Sequence, residues 1–158
     1  MVNGGVGLGF DVHRFTDKRK DLILGGVRIE YSQGLEAVSD GDVVLHAVCD
    51  GILGAACLGD IGDYFPPQEE RFKGIESRKI VEFVLEKISK GFKIISMDVT
   101  IIAEKPPLVK YKSLIVNSLR RIFKVERVNL KIKSKENSKI LGASDCVACW
   151  ALVCLEKC

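Results

Sequence analysis

Histidine is scarce in this chain: 158 positions hold two, His13 and His46. Long apolar runs are absent as well, and nothing approaches the roughly 18 residues of a membrane-spanning helix, so no membrane partner is expected. Residues 1–5 lack a basic stretch followed by an apolar one, which argues against a secretory signal and for a cytoplasmic protein. The basic excess is small, a net charge of +3. That suits an anionic small molecule but lacks the clustered charge of a nucleic-acid binder. Proline is limited to four residues, and no repeat, linker or low-complexity tract occurs. With 47% apolar residues the composition excludes disorder, and the length predicts a single domain over 1–158 with a sizeable core.

Six cysteines are present. Cys146, Cys149, Cys154 and Cys158 follow a C-x2-C-x4-C-x3-C spacing that superficially matches a metal knuckle. The intervening residues are continuously apolar and offer no turn to wrap an ion. Buried thiols in a reducing compartment are therefore the expected reading.

Periodicity predicts the elements. Residues 7–15 alternate as a strand, which would project Asp11 and His13 from the same face. Residues 22–29 read as a second strand with a bend or tight turn at Gly25-Gly26. Ser39-Asp40-Gly41-Asp42 opens a helix expected over 43–58, with Ser39 or Asp40 as cap and Asp42, His46 and Asp50 on one face. Residues 59–67 predict an irregular loop, since glycines and prolines punctuate it. A helix over 77–89, a strand over 92–103, a helix over 108–123 and strands over 128–134 and 146–155 complete the pattern. The class is α+β: a mixed or antiparallel sheet with about three helices packed on one face.

Neutral imidazole and carboxylate together make the ligand set of a zinc-type site with an open position. Asp11, His13 and His46 form such a set if the first strand meets the first helix. A surface Asp–His pair and a satisfied core histidine are the plainer readings. Asp42 or Asp50 is placed to orient His46 from behind, or else simply faces solvent. Asp60-Ile61-Gly62 lets a ligand approach the backbone, or is a simple turn. Ala103-Glu104-Lys105-Pro106-Pro107-Leu108 is a rigid turn able to read a base edge or receive phosphate, or else a strand-to-helix connection. Lys133-Ser134-Lys135-Glu136 offers a hydroxyl, two cations and a hard-metal carboxylate, or else an exposed charged loop.

Taken in order, the segments resemble the 2-C-methyl-D-erythritol 2,4-cyclodiphosphate synthase family over nearly the whole chain. The segments are Gly9-Phe10-Asp11-Val12-His13, Leu24-Gly25-Gly26-Val27-Arg28-Ile29, Ser39-Asp40-Gly41-Asp42-Val43 with His46, Leu58-Gly59-Asp60-Ile61-Gly62, Phe72-Lys73-Gly74 with Ser77-Arg78, and Asp98-Val99-Thr100-Ile101-Ile102-Ala103. The resemblance implies an α+β homotrimer whose active sites lie between subunits. It implies a reaction in which the 2-phosphate of 4-diphosphocytidyl-2-C-methyl-D-erythritol 2-phosphate attacks its β-phosphate, closing a cyclic diphosphate and expelling CMP. It assigns zinc to Asp11, His13 and His46, and magnesium or manganese to Glu136 with the substrate diphosphate. Ser39, Asp60, Ile61 and Gly62 would join Asp11 and His13 in contacting substrate. Ala103 through Val109 would form the cytidine pocket, and Lys133, Ser134, Lys135 and Glu136 would meet the phosphates, with Ser134 steadying the transition state.

The chain also departs from the family pattern. Val38 stands where a histidine is usual, Lys133-Ser134-Lys135-Glu136 replaces Thr-Thr-Thr-Glu, and Ile140 and Ala143 stand where Phe and Arg are frequent. Losing that arginine removes a phosphate contact worth about 1.5–3 kcal/mol; Lys133, Lys135 or Lys139 is available to compensate. A diverged, weakly active or inactive ligand-binding trimer subunit is therefore the rival reading, followed by a metal-dependent phosphoester hydrolase.

Overall fold

The computed structural model describes residues 4–136 and 145–158. Five strands form the main sheet in the order β4-β1-β7-β5-β6, where β1 is Gly4–Thr16, β4 Gly34–Leu35, β5 Phe92–Ile102, β6 Arg127–Lys133 and β7 Cys146–Lys157. The sheet is mixed. β1–β4, β1–β7 and β5–β7 are antiparallel, whereas β5 and β6 run parallel because helix α4 (Lys112–Phe123) carries the chain back between them. Residues 22–29 resolve into an antiparallel hairpin, β2 (Leu22–Leu24) and β3 (Val27–Ile29). Its two-residue turn requires positive φ at both positions, +61° and +72°, which Gly25 and Gly26 supply.

Helix α1 (Val43–Ala55) lies on β1 and β7 and is covered in turn by α3 (Ser77–Ile88). Ten of its thirteen residues are buried, so it reads as apolar all round. Its seat on β1 is backbone on backbone. A Cβ on Gly9, Gly7 or Gly5 would fall 1.8, 2.1 or 2.0 Å from the carbonyl oxygens of Ala47, Gly51 and Ala55. Two-residue steps along a strand (~6.6 Å) nearly match four-residue steps along a helix (~6 Å), so one contact repeats three times.

The opposite face of β1 carries Val6, Leu8, Phe10 and Val12, all exposed, with Val6 at 64% and Leu8 at 66%. Exposed Leu152 and half-buried Trp150 of β7 extend this apolar surface, and the Phe10 and Trp150 rings sit 4.8 Å apart. No helix among the described residues is long and apolar enough to cross a membrane.

Several expectations need correction. The first helix is capped by Asp42, not Ser39 or Asp40: its carboxylate accepts from the Val44 and Leu45 amides at 3.1 Å. Helix α4 begins only at Lys112, after a 3-10 turn at Val109–Tyr111. The stretch expected to be a loop contains one helical turn, α2 (Ile61–Tyr64). Asp60 and Asp63 accept each other's backbone N–H in a capping box that outweighs the breaker residues nearby. In keeping with the apolar run between them, the four cysteines do not gather into a knuckle. Cys146 to Cys154 lie along extended β7 and Cys158 just beyond it, which separates Cys146 from Cys158 by on the order of 40 Å. Not all thiols are buried either: Cys49, Cys146 and Cys149 are, Cys154 is half-buried, and Cys57 and Cys158 are exposed.

Candidate metal centre

The Gly5–Gly7–Gly9 face of β1 continues into Asp11 and His13, so the strand that seats α1 also aims both side chains toward its N-terminal turn. There His46 projects one residue before the Ala47 contact. Asp11 Oδ2 lies 2.9 Å from His46 Nδ1 and 3.1 Å from His13 Nε2. The three donors fall within 4.8 Å of one another. Buried His13 Nε2 makes no hydrogen bond of acceptable geometry. A buried nitrogen without a proton partner, beside a carboxylate and a second imidazole, is the chemistry of a divalent-cation site of zinc type.

Electrostatics bind the triad together. Burial alone would raise the Asp11 pKa, but the adjacent imidazoles of His13 and His46 outweigh it and hold the carboxyl well below the usual range. Burial likewise disfavours protonated His46, yet the Asp11 hydrogen bond and charge win and raise its pKa.

The residues behind His46 differ from the expected ones. Asp42 accepts no bond from it. Fully buried, that carboxylate takes four backbone N–H groups, from Gly25 (2.8 Å), Gly26 (2.7 Å), Val44 and Leu45. It ties the β2–β3 turn to the start of α1. Asp50 instead accepts from the Ile61 amide at 2.9 Å and docks α2 against α1. The partner of His46 Nε2 is Ser77 Oγ at 2.8 Å, with Ser39 Oγ farther away at 3.4 Å. Ser77 lies 31 residues from His46, and no local pattern marks it in the sequence.

A cavity of about 220 Å³ opens beside the triad. Asp11, His13, His46, Ser39 and Asp50 line one side, and Val38, Ile61, Phe65, Phe72 and Ile75 form an apolar wall. Of the Asp60-Ile61-Gly62 segment, Ile61 reaches the cavity, while the Asp60 side chain is engaged in capping α2.

The remaining site candidates gather elsewhere. Ala103 N donates to Lys133 O at 3.0 Å, Lys135 N donates to the Glu104 carboxylate in a short contact, and Ser134 Oγ donates to the Glu136 carboxylate. Lys105, Pro106, Pro107, Leu108 and Val109 continue this group, in which the Lys105–Pro106 peptide is cis. None of residues 103–109 or 133–136 is among the described lining of the triad cavity. Yet both groups share one end of the sheet. His13 pairs with Val147 on β7, whose neighbour Ala148 pairs with Ile102, and Ile102 pairs with Lys133. Two strand spacings put Ile102 roughly 10 Å from His13, and three put Lys133 roughly 14 Å from it. Lys139, Ile140 and Ala143 lie outside the described residues.

A mixed α+β domain that converges two imidazoles and a carboxylate over a cavity defines a class: small-molecule enzymes with a metal centre. The sequence pattern of the YgbB family matches residues 5–156. The 2-C-methyl-D-erythritol 2,4-cyclodiphosphate synthase of Desulfatibacillum aliphaticivorans is 42% identical over 96% of this chain and 99% of its own. Among solved structures, the bifunctional IspDF of Campylobacter jejuni superposes with a TM-score of 0.90 at 34% identity. That match takes 98% of this chain but 42% of that one. A 2C-methyl-D-erythritol-2,4-cyclodiphosphate synthase in its CDP-bound form superposes with a TM-score of 0.85 at 30% identity, over 96% of this chain and 99% of that one. The chain belongs to the YgbB family.

Proposed function

We propose that the chain is a single-domain, cytoplasmic enzyme that converts 4-diphosphocytidyl-2-C-methyl-D-erythritol 2-phosphate to 2-C-methyl-D-erythritol 2,4-cyclodiphosphate with release of CMP. The observation that carries the reading is the convergence of Asp11, His13 and His46 beside a cavity, in a chain 42% identical to a named synthase along its length. Asp11, His13 and His46 would hold zinc, and Glu136 would hold magnesium or manganese together with the substrate diphosphate. Bound there, the ions supply charge neutralisation and fix the phosphates in place.

The protein's part is orientation. The 2-phosphate oxygen is already anionic, so no general base is required, and the reaction gains most from holding the two phosphates near in line. Ser39 and the backbone at Ile61 and Gly62 would steady the erythritol end. The apolar side chains of Val38, Ile61 and Phe65 would offer bound phosphate no competing polar group on that side of the cavity. Ser134, Lys133 and Lys135 would meet the diphosphate, and residues 103–109 the cytidine. With Val38 in place of a histidine, one phosphate donor is absent, and the two lysines supply positive charge instead.

Ala103, next to Ile102 on β5, and Lys133 on β6 stand two and three strand spacings, roughly 10 and 14 Å, from His13 within one chain. The uncovered face of β1 and β7 gathers exposed Val6, Leu8, Phe10, Val12 and Leu152, and a contiguous apolar patch of this kind marks association surfaces. Both observations support a homotrimer in which the triad of one subunit works with the nucleotide-binding segment of a neighbour.

Incubation with the substrate, zinc and magnesium should release CMP and a cyclic diphosphate, followed by chromatography and 31P NMR. Binding without release would favour a non-catalytic subunit, and products containing water oxygen a hydrolase; either outcome would overturn the reading. His46→Ala should remove the zinc and most turnover while the trimer persists, and unchanged zinc content in that variant would refute the ligand assignment.

A further inference from the structure

The hydrogen bonds beyond His46 place a proton on its Nε2. Ser77 has a single hydroxyl proton, and Asp40 takes it: Ser77 Oγ donates to Asp40 Oδ1 in a short contact, while Ser77 N donates to Asp40 Oδ2 at 3.0 Å. A carboxylate only accepts and returns no proton. Ser77 Oγ therefore presents lone pairs to His46 Nε2, 2.8 Å away, and that nitrogen must carry a hydrogen. Without an ion Nδ1 carries the proton that bonds Asp11 Oδ2, 2.9 Å away; a bound cation would take the place of that proton and use the Nδ1 lone pair, while Nε2 keeps its hydrogen.

The pair is well fixed. Ser77 is fully buried at the first position of α3. Asp40 N donates to Ile75 O at 3.1 Å and Gly74 N to Val38 O at 2.6 Å, which pins the two segments together. From the other side, Lys20 Nζ donates to the carbonyl oxygens of Leu35 (3.0 Å) and Ser39 (2.8 Å).

We propose that Ser77 and Asp40 are positioning residues for a metal ligand, holding the His46 ring with Nε2 protonated and Nδ1 turned toward a divalent cation shared with Asp11 and His13. The proposal rests on the metal reading of the triad and goes beyond it: neither residue touches the ion, and both act through His46. The two histidines would then bind in opposite tautomers, since His13 offers Nε2 and His46 offers Nδ1. Outer partners of ligating histidines fix ring orientation and tautomer, and their loss typically weakens metal binding roughly 10–100-fold.

With two histidines in the chain, long-range 1H–15N spectra of the zinc-loaded, 15N-histidine-labelled protein read both rings directly. One ring is expected to show a protonated Nε2 and the other a protonated Nδ1. Ser77→Ala should weaken zinc binding, measured by chelator competition, roughly 10–100-fold, and Asp40→Asn should act in the same direction. Two rings both protonated at Nδ1 would overturn the proposal, as would zinc affinity within about twofold of the parent in folded variants. A purely structural role would lower the metal-free melting temperature and leave tautomer and affinity unchanged. If Ser77→Ala does not fold, the parent spectrum and Asp40→Asn decide. A parent protein that binds no zinc would overturn the metal reading itself, a failure distinct from bound zinc with unaltered variants.

Discussion

The contact between β1 and α1 can be tested with one methyl group. In Gly9→Ala the new Cβ would lie 1.8 Å from the Ala47 carbonyl oxygen and 2.5 Å from the Gly51 amide nitrogen. Both neighbours are backbone atoms of a helix held between the sheet and α3, so no side-chain rotation relieves the overlap. The helix must withdraw by roughly 1 Å or more, and close-packed interiors resist that. Overpacking costs about 1–3 kcal/mol in general, and a backbone clash belongs at the upper end, about 3 kcal/mol. For a chain of this length that corresponds to a fall of roughly 6–12 °C in melting temperature. Asp11 lies two residues beyond Gly9 on the same face and His46 one residue before Ala47, so the same displacement stretches the 2.9 Å Asp11–His46 contact beyond hydrogen-bond range. Zinc affinity should fall together with stability. Gly54→Ala is the control: it alters the same helix, but its Cβ would meet nothing closer than the Gly7 Cα at 3.9 Å. Relief of glycine's helix penalty should there stabilise the protein by about 0.5–1 kcal/mol. Thermal and urea unfolding at a fixed protein concentration measure both variants. A Gly9→Ala protein as stable as its parent, or one destabilised with unchanged zinc affinity, would refute the argument.

Three further outcomes follow from the same geometry. Asp42→Ala strands four backbone N–H groups, of Gly25, Gly26, Val44 and Leu45, in a fully buried site. At about 1–3 kcal/mol for each unsatisfied donor, a loss of at least about 4 kcal/mol is expected in urea unfolding, and a loss below about 1 kcal/mol would contradict it. In the metal-free protein, His46 has a folded pKa raised above its ordinary 6.5, so its contribution is full below pH 6.5 and is lost as pH rises through the folded value. Asp11 has a depressed folded pKa, so its contribution is present above its ordinary 3.8 and is lost as pH falls through the folded value. The triad's contribution to melting temperature in EDTA should therefore be greatest between these limits and decline toward pH 9; a flat profile relative to His46→Ala would count against it. Leu8→Glu places a charge on the uncovered face of β1 and should break up the proposed homotrimer, read as monomers in light scattering with the triad intact. A persistent trimer would move the association surface elsewhere.

Much of the fold was legible because its cues are local. Strand alternation over residues 7–15 predicted that Asp11 and His13 share a face, and β1 bears this out. The first helix was predicted from residue 43, and α1 begins there. The errors have physical causes. Asp42 looked like one member of a polar stripe, because its partners Gly25 and Gly26 lie 17 and 16 residues upstream and no periodicity links them. Residues 59–67 looked irregular because glycine and proline are local breakers, whereas the reciprocal Asp60–Asp63 bonds that sustain a helical turn depend on side-chain geometry. Ser77 was read as a helix start, which it is. That its hydroxyl meets His46 depends on how α3 packs over α1, a tertiary fact no window of sequence contains.

The two groups of candidate residues are built in different ways, and this bears on how the departures from the family pattern should act. The triad stands on elements locked by backbone contact: β1 against α1 through three glycines, and α1 against the β2–β3 turn through Asp42. A side chain on such a support has little freedom to move. Val38, at the rim of that cavity, can therefore remove a donor without disturbing the ligands behind it. Lys133, Ser134, Lys135 and Glu136 instead occupy the end of a strand and the turn beyond, held by side-chain contacts rather than by packed backbone: Ser134 Oγ donates to Glu136, and Lys135 Nζ lies 3.0 Å from Cys146 Sγ. A lysine there brings charge with three rotatable donors, where a threonine would bring a single short hydroxyl. Compensation for a missing phosphate contact is thus physically easier from the strand end than from the locked half. Among the described residues the departures fall at Val38 and at Lys133, Ser134 and Lys135, outside the three converging donors, which are intact.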